Sequence, residues 1–408
     1  MFKFNFDADD DLDAELPFEV TTTQSSTGES KPSKTPETLK HFKEIPVCDL
    51  FSNLPPAISY SPLAISTSSG SHVALSRRDL FDARFQLISG EGAEEDDGSE
   101  DKPPALEFVD APSDLVPGVY EGGLKTWECS LDLVDCLDKT YEGNVSERLK
   151  GKRVIELGCG TAVPTMYLLK ELLSTASHDS ANVQLHLQDY NDLVFQLVTV
   201  FNLLLTWYMS PASQAFRDNV DSSPAGDQQD PPPPADATIP GELPLSPELI
   251  GAFQESLKLR GIDIRFFSGS WDTFDLHHTG GKYDVVLTSE TIYRPESLPS
   301  LLNLMCQACV GDVSMSHTSD ISNSPARALE DITAEQLTIA ESTTPYLCLV
   351  AAKLVYFGVG GGISEFVRAV EHPEDKDQAP CHQRKGSVQH LWERNEGVKR
   401  TIMRVTWL

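Results

Sequence analysis

The chain has 408 residues, 40% of them hydrophobic, which is enough for one sizeable core with appendages or for two modest domains. Its 32 Lys and Arg stand against 62 Asp and Glu, a formal charge of -30 that argues against direct binding to a nucleic-acid backbone and favours a basic protein partner. Much of the acidic excess lies in two tracts, 7–13 and 91–101, so solvated tails are the simpler interpretation of this charge.

The composition changes along the chain and predicts three regions. Residues 1–45 are rich in Ser, Thr, Pro, Glu and Asp and are predicted to be a disordered acidic tail. Residues 46–110 predict a small extension that ends in an acidic linker, with no role that the sequence reveals. Residues 111–408 form the main domain, into which two polar loops are inserted at about 210–247 and 311–343.

The main domain alternates short apolar runs with helical patterns. Strands are predicted at 153–157, 183–189, 262–268, 283–289, 346–357 and 399–408. Helices are predicted at 163–175, 191–208, 297–308 and 364–370. Alternation of this kind indicates a doubly wound, mostly parallel α/β sheet, whose ligand should lie at the carboxyl ends of the first strands.

Signals for a metal, a membrane or an export route are weak. Of eight cysteines only Cys306 and Cys309 form a C-x-x-C, and without a second pair no metal is predicted. The uncharged run 193–209 is shorter than the roughly 20 residues of a membrane span and has a polar edge, so a buried helix of a soluble protein is expected. The reduced cysteines and the lack of a signal peptide indicate the cytoplasm, with the nucleus as the alternative.

The stretch "VIELGCGTAVPT" at 154–165 is a glycine turn between a strand and a helix. A dinucleotide fingerprint needs a third glycine, and Val163 stands there. A phosphate loop needs a Lys followed by Ser or Thr, which is absent. A dehydrogenase is therefore the weakest of the candidate functions.

Glu156, two residues before Gly158, creates the pattern E-x-G-x-G together with Gly160. A carboxylate there would repel a pyrophosphate but can accept hydrogen bonds from a cationic amino-acid head group or from water. This indicates S-adenosylmethionine, which carries a sulfonium, an ammonium and no phosphate. Asp189 ends the next strand and is placed to accept the ribose hydroxyls; the alternative is a helix N-cap, although Asn191 could supply one.

Several segments together resemble one family. "LVPGVYEGGLKTWECSLDL", "VIELGCGTAVP", "LQDYND", "FSGSWDTF", "DVVLTSETIY" and "KLVYFGVGGGISEF" are similar to the protein-histidine N-methyltransferases of the seven-strand class. The closest members of that family act on one histidine of the large-subunit ribosomal protein uL3. The resemblance covers roughly 111–408 without the two inserted loops, and it implies a class I methyltransferase fold with a seven-stranded, Rossmann-like sheet.

The resemblance also implies which residues surround the cofactor. They come from the segment before the first strand, the glycine turn and the ends of the next strands: Thr126, Trp127, Glu128, Cys129, Ser130, Gly158, Gln188, Asp189, Tyr190, Ser270, Trp271 and Ser289. Trp127 and Trp271 could instead be core aromatics, and Cys129 and Cys159 small core residues. Ala162 departs from the family, which often has a third glycine there, so its methyl group is expected to lower cofactor affinity at most.

A histidine substrate requires one ring nitrogen with a lone pair and the other protonated and held by an acceptor. Because an imidazole with a pKa of about 6.5 is mostly neutral at pH 7, selecting the tautomer matters more than a strong base. Glu290, after the fourth strand in "TSETIY", is the predicted acceptor, and Tyr293 is predicted to wall the site. The alternative is that Glu290 caps or pairs locally.

Gly360 and Gly361 lie in "YFGVGGGISEF", a glycine-rich loop before a helix. Such a loop approaches a substrate backbone closely, or it is only a helix-entry turn. We expect it to form the rim that admits the protein substrate.

The sequence thus predicts a monomeric protein-histidine tele-methyltransferase acting on uL3, free or assembled in the ribosome. One alternative is a seven-strand lysine methyltransferase, which would need to supply a neutral amine. Another is a non-catalytic chaperone or adaptor for a basic ribosomal protein, which would not need cofactor binding.

Overall fold

A computed structural model of the chain describes residues 39–83, 86, 115–116, 120–174, 181–221, 233–311, 344–356, 361–373, 384–395 and 397–408. Leu39–Leu408 forms one compact unit. The predicted disorder of the first 38 residues and nearly all of the predicted loop 311–343 lie outside the described residues.

The elements alternate along the chain as the sequence predicts. The strands are β1 (Lys43–Ile45), β2 (Ala57–Ser66), β3 (His72–Arg78), β4 (Leu115–Val116), β5 (Tyr120–Glu121), β6 (Arg153–Leu157), β7 (Val183–Asp189), β8 (Gly241–Pro244), β9 (Ile262–Ser268), β10 (Val285–Ser289), β11 (Leu347–Lys353), β12 (Gly386–Arg394) and β13 (Arg400–Trp407). The helices are α1 (Val47–Leu50), α2 (Glu128–Tyr141), α3 (Val145–Leu149), α4 (Val163–Ser174), α5 (Asp192–Tyr208, with a π-helical turn at Phe195–Thr199), α6 (Gln214–Asp221), α7 (Pro247–Leu259), α8 (Leu276–Thr279), α9 (Leu298–Val310) and α10 (Ile363–Glu371).

The main sheet has eight strands in the order β1-β9-β7-β6-β10-β11-β13-β12. Strands β9, β7, β6, β10 and β11 are parallel neighbours, and β13 runs antiparallel between β11 and β12. The order reverses at β6, and in open α/β sheets such a switch point predicts a ligand crevice, here at the carboxyl ends of β6 and β10. The predicted α/β fold with its seven strands is confirmed, and β1 adds an eighth strand that the sequence did not predict.

Helices cover both faces of this sheet, because its central strands are apolar on both sides. In β10, Val285 and Leu287 belong to the core under α2, α4 and α5, whereas Val286 belongs to the core under α9 and α10. Strands buried on both faces read as continuous apolar runs, which is why they were predictable from the sequence. Strand β12 was missed, since most of its side chains are exposed and polar.

The extension forms a second, three-stranded sheet in the order β3-β2-β8. Two of its strands come from the predicted extension, but β8 comes from the predicted loop 210–247, which is therefore partly regular structure. Strand β1 similarly lies within the last residues assigned to the tail. Apolar side chains of β2 and β3 join the core that α2, α4 and α5 share with the main sheet.

Polar side chains along one edge of α5, visible in the sequence, form hydrogen bonds to the glycine turn and to β3. Thr199 donates to the carbonyl of Gly160 at 2.7 Å, and Asn202 donates to the carbonyl of Thr161 at 2.9 Å. The Asn202 side-chain oxygen also accepts from the backbone of Arg78 in β3 at 2.8 Å. Within the described ranges no single helix could cross a membrane, although α5 and Pro211–Asn219, bent by 79°, pass together on length and composition.

Candidate active site

The glycine turn joins β6 to α4 with a backbone that only glycine adopts easily. Gly158 and Gly160 have φ values of 62° and 50°. A Cβ on Gly158 would lie 2.6 Å from the Thr291 methyl group, and one on Gly160 would lie 3.0 Å from the Gly123 carbonyl oxygen. The turn is therefore held between the segment before α2 and the segment after β10.

Ala162 follows the turn with φ of 59° and is completely buried in the core below α4. The positive φ explains why a glycine would suit this position. The Ala162 methyl group packs into the core, and the positive φ strains the backbone of a residue that has a Cβ. The expected effect of this methyl group on cofactor affinity stays a prediction.

Glu156 lies beneath the turn and is 1% exposed. Its carboxylate accepts hydrogen bonds from the backbone amide of Thr165, at 3.0 Å, and from the Thr165 hydroxyl. Burial raises the pKa of Glu156 to about 8, an effect that these two hydrogen bonds oppose. The carboxylate thus caps the first turn of α4, and its contact with a cationic head group stays a prediction.

Asp189 ends β7 and fixes the turn from the neighbouring strand. One carboxylate oxygen accepts from the amide of Gly160 at 2.9 Å, and the other accepts from the amide of Asn191 at 3.0 Å. A carboxylate oxygen can accept more than one hydrogen bond, and the contact of Asp189 with the ribose hydroxyls stays a prediction. Asn191 makes no side-chain cap: its side-chain oxygen accepts from the Lys40 ammonium at 3.4 Å, and its side-chain nitrogen donates to the carbonyl of Gly122 at 3.2 Å.

Gln188 joins the turn to the loop after β9. Its side-chain oxygen accepts from the Trp271 indole at 2.7 Å and from the amide of Gly158 at 3.3 Å. Its side-chain nitrogen donates to the carbonyl of Gly269 at 2.9 Å. The half-buried Trp271 also packs against the core under α9 and α10, as the core-aromatic interpretation expects, and its contact with adenine stays a prediction. Tyr190 directly follows β7, and Ser270 lies in the loop after β9.

The start of α2 supplies another wall. Thr126 donates to the hydroxyl of Thr161 in the glycine turn at 3.1 Å, and Ser130 donates to the carbonyl of Trp127 at 2.7 Å. Cys129 is completely buried, and burial raises the pKa of its thiol, so the interpretation of Cys129 as a small core residue fits its environment.

Glu290 follows β10 directly with φ of 57°, in the left-handed region that non-glycine residues rarely adopt. Its amide donates to the carbonyl of Ala351 at 3.0 Å, and its side chain is 10% exposed. Burial raises the pKa of Glu290, and the Lys353 ammonium, 3.6 Å from Oε1, opposes this rise. Ser289, the last residue of β10, is half-buried beside it.

Lys353, at the end of β11, connects Glu290 to the start of α2. Its ammonium lies 3.4 Å from the Glu128 carboxylate and 4.5 Å from the centroid of the Trp127 ring. Lys353 was missed by the sequence analysis, which assigned a longer strand at 346–357. A Lys at the carboxyl end of a parallel strand, just before a glycine-rich loop, is the signal that could have found it.

The predicted rim contacts the predicted wall. Gly361 donates to the carbonyl of Tyr293 at 2.9 Å, and a Cβ on Gly361 would lie 2.4 Å from the same carbonyl group. The Tyr293 ring lies 6.3 Å from the ring of Tyr356. Gly360 lies outside the described residues.

The predicted site residues that the structure describes therefore meet at the carboxyl ends of β6, β7, β9, β10 and β11. A separate cavity of about 490 Å³ lies at the opposite ends of β7 and β9, lined by apolar groups that include Val183, Phe253 and Ile262. We place the function at the first location, because the polar and charged groups converge there. Among the described residues no group of three or more His, Cys, Asp or Glu could hold a metal ion.

Comparison with known proteins identifies a family for this fold and site. The chain is 31% identical to histidine protein methyltransferase 1 of Saccharomyces cerevisiae over 341 residues, which cover 81% of this chain and 75% of the yeast protein. It is 32% identical to histidine protein methyltransferase 1 of Schizosaccharomyces pombe over 324 residues, covering 76% and 73%. No family model matches. The chain belongs to the histidine protein methyltransferase 1 family, which confirms the family predicted from the sequence.

Solved structures add no detail to this assignment. The magnesium protoporphyrin IX methyltransferase of Synechocystis PCC 6803, solved with bound S-adenosylmethionine, has a TM-score of 0.25 and 11% identity, covering 69% of this chain and 85% of its own. Family membership supports S-adenosylmethionine as the cofactor. The contacts of the E-x-G-x-G turn and of Asp189 with it stay predictions.

Proposed function

We propose that this protein is a histidine methyltransferase that modifies the tele nitrogen of one histidine in ribosomal protein uL3. Membership of the histidine protein methyltransferase 1 family supports the histidine. The formal charge of -30 suits a basic protein substrate, and the resemblance of the site motifs supports uL3. We further propose that it acts as a monomer in the cytoplasm, with the nucleus as the alternative location.

The cofactor pocket is formed by residues around the glycine turn. Asp189 holds the ribose, Tyr190 contributes a further cofactor contact, and Ser270 and Trp271 lie beside the adenine. Gly158, Gly160 and residues 126–130 surround the rest of the molecule. When bound, S-adenosylmethionine supplies the methyl group on a sulfonium centre. The protein must hold the attacking nitrogen close to that group and exclude water.

Glu290 is the single feature that carries the proposal for the substrate. Its Oε1 atom is buried and receives no well-formed hydrogen bond from the described residues, although Lys353, Cys129 and Tyr356 lie close enough to oppose the rise of its pKa. The next residue, Thr291, packs against Gly158 in the cofactor turn, so this carboxylate is close to the predicted methyl position. By accepting from the Nδ1–H of the substrate, Glu290 leaves the lone pair on the tele nitrogen, Nε2.

The test is transfer of an isotopically labelled methyl group from S-adenosylmethionine to recombinant uL3, located by residue-level mass spectrometry. We expect label on one histidine of uL3, and none with Asp189→Ala, which removes the ribose acceptors. Label on lysine would show that the protein is a lysine methyltransferase instead. Cofactor binding without any label would refute uL3 as the substrate.

Glu290→Gln tests the acceptor separately. The amide keeps the size of the side chain but removes its charge, so we expect transfer to slow by roughly 100-fold or more, as for other positioned acid–base groups. A full transfer rate with an unchanged pH dependence would show that Glu290 does not orient the substrate.

A further inference from the structure

The segment Leu39–Ile45, hereafter the N-terminal strap, lies beside the loop that follows β9. Lys43 and Ile45 pair with Ser268 and Phe266 of β9 in the antiparallel register of β1. Beyond this ladder, the carbonyl of Lys40 accepts from the amide of Ser270 at 2.8 Å. The strap therefore continues past the strand to one of the predicted adenine-binding residues.

The contact between the strap and this loop is close. Gly269 has φ of 110°, and a Cβ on it would lie 2.4 Å from the carbonyl oxygen of His41. The amide of Phe42 donates to the Thr273 hydroxyl at 2.8 Å, on the far side of Trp271. Backbone contacts thus bracket the segment Gly269–Thr273, which contains the two predicted adenine contacts.

Side chains anchor the strap independently of its backbone. The Phe42 ring lies 5.7 Å from Phe267 and 5.0 Å from Phe274. Glu44 accepts two hydrogen bonds from the Arg265 guanidinium, both at 2.8 Å. The Arg265 guanidinium holds the pKa of Glu44 down to about 2.

Lys40 extends this contact to a second loop of the site. Its ammonium lies 3.4 Å from the side-chain oxygen of Asn191 and 5.1 Å from the centroid of the Tyr190 ring. Tyr190 and Asn191 immediately follow Asp189, the predicted ribose acceptor. One residue of the strap therefore contacts both loops at the nucleoside end of the pocket.

We propose that the N-terminal strap is part of the cofactor site, and that Lys40 is a positioning residue which holds the loops after β7 and β9 in their binding conformation. Loops that are already ordered lose less conformational entropy when the cofactor binds. The inference rests on the proposed function only in that the cofactor is S-adenosylmethionine, and it is independent of the protein substrate.

The test is the affinity of the full-length chain for S-adenosylhomocysteine, measured by calorimetry without protein substrate. We expect Lys40→Ala to weaken binding about fivefold, and Lys40→Arg to retain affinity because it keeps the cation above Tyr190. Lys43→Ala is the matched control: Lys43 is an exposed cation on the same strap, and its loss should leave affinity unchanged.

Phe42→Ala should release the strap and weaken binding at least about tenfold. Phe51→Ala is its control, because Phe51 is a half-buried aromatic residue of the extension that packs against Phe253, away from the site. Hydrogen exchange at 269–274 should accelerate in Phe42→Ala only. In steady state Lys40→Ala and Phe42→Ala should raise the KM for S-adenosylmethionine and leave kcat and the KM for the protein substrate unchanged.

Three results are decisive. Equal affinities of Lys40→Ala, Lys43→Ala and the unmodified chain would refute the role of Lys40. Unchanged affinity and exchange in Phe42→Ala would refute the strap as part of the site, while leaving the proposed function intact. Failure of the unmodified chain to bind S-adenosylhomocysteine would overturn both the proposed function and the role of the strap.

Discussion

Two carboxylates at the candidate site share one cation. The Lys353 ammonium lies 3.4 Å from the Glu128 carboxylate and 3.6 Å from the Glu290 carboxylate, so two acidic side chains face one cation. Transfer of a methyl group to a neutral imidazole creates a positive charge on the ring before its proton leaves. A fixed excess of negative charge stabilises that developing cation, because preorganised charges act strongly where water is excluded.

Lys353→Met should raise the pKa of Glu290, since it removes the cation that opposes the effect of burial. In the proposed function Glu290 accepts as a carboxylate, so activity should be gained as pH rises through its pKa, and in Lys353→Met this gain should move to higher pH. A pH profile of kcat, checked against thermal melting, measures the shift. Lys353→Arg should keep the profile close to that of the unmodified chain. The same profile for the Met and Arg variants would show that Lys353 does not act on Glu290.

The junction between β6 and α4 contains Glu156, whose side chain binds a proton more tightly in the folded than in the unfolded state. Glu156 has a pKa of about 8 when folded, against 4.5 as its ordinary value. Its contribution to stability is fully present below pH 4.5 and is lost as the pH rises towards 8. Folding within this window therefore takes up a proton.

Glu156→Gln should remove this pH dependence. The free energy of unfolding of the unmodified chain should fall, relative to Glu156→Gln, by up to about 1.4 kcal/mol per pH unit between pH 6 and 8. Urea denaturation at several pH values measures the difference. Parallel curves for the two proteins would mean that Glu156 is ionised in the fold across this range.

The loop before α10 offers a matched pair of glycines. Gly361→Ala places a methyl group against the Tyr293 carbonyl, so it should displace the rim and raise the KM for the protein substrate several-fold more than that for the cofactor. Gly362→Ala is the control, since an added Cβ there meets nothing within 4 Å. Steady-state kinetics with each substrate varied decide the matter. Equal effects of Gly361→Ala on both KM values would count against a substrate rim.

The sequence predicts those parts of the candidate site that lie at the ends of apolar strands. Gly158, Gln188, Asp189 and Glu290 meet because parallel strands end at one edge, and each follows an apolar run. Lys40 could not be found in this way, because it lies outside any strand, just before the three-residue β1, and precedes the predicted domain. The direction of Glu156 under the turn depends on the packing of α4, which no local pattern reveals.

At the scale of the whole molecule, charge is the dominant feature of the chain. The formal charge of -30 should attract a basic protein substrate over distances greater than the contacts themselves. Such attraction is screened at a Debye length of about 10 Å in 0.1 M salt. Binding of a small cofactor inside a pocket depends much less on it.

The KM for a basic protein substrate should therefore rise severalfold between about 0.05 and 0.3 M NaCl, while the KM for S-adenosylmethionine changes little. Steady-state kinetics at fixed pH measure both values. A short histidine peptide of zero net charge is the control, because its KM should be nearly independent of salt. If salt raised the KM of the protein and of the peptide equally, the salt effect would arise within the active site and not from long-range attraction.

The pairing of β8 with β2 makes the extension and the main domain interdependent. Strand β2 lies between β3, its neighbour in the chain, and β8, which follows α6 in the main domain. The extension is therefore interlocked with the domain and does not behave as a detachable module. A chain cut between residues 87 and 114 would yield two fragments that complement each other, because each contains only part of the three-stranded sheet.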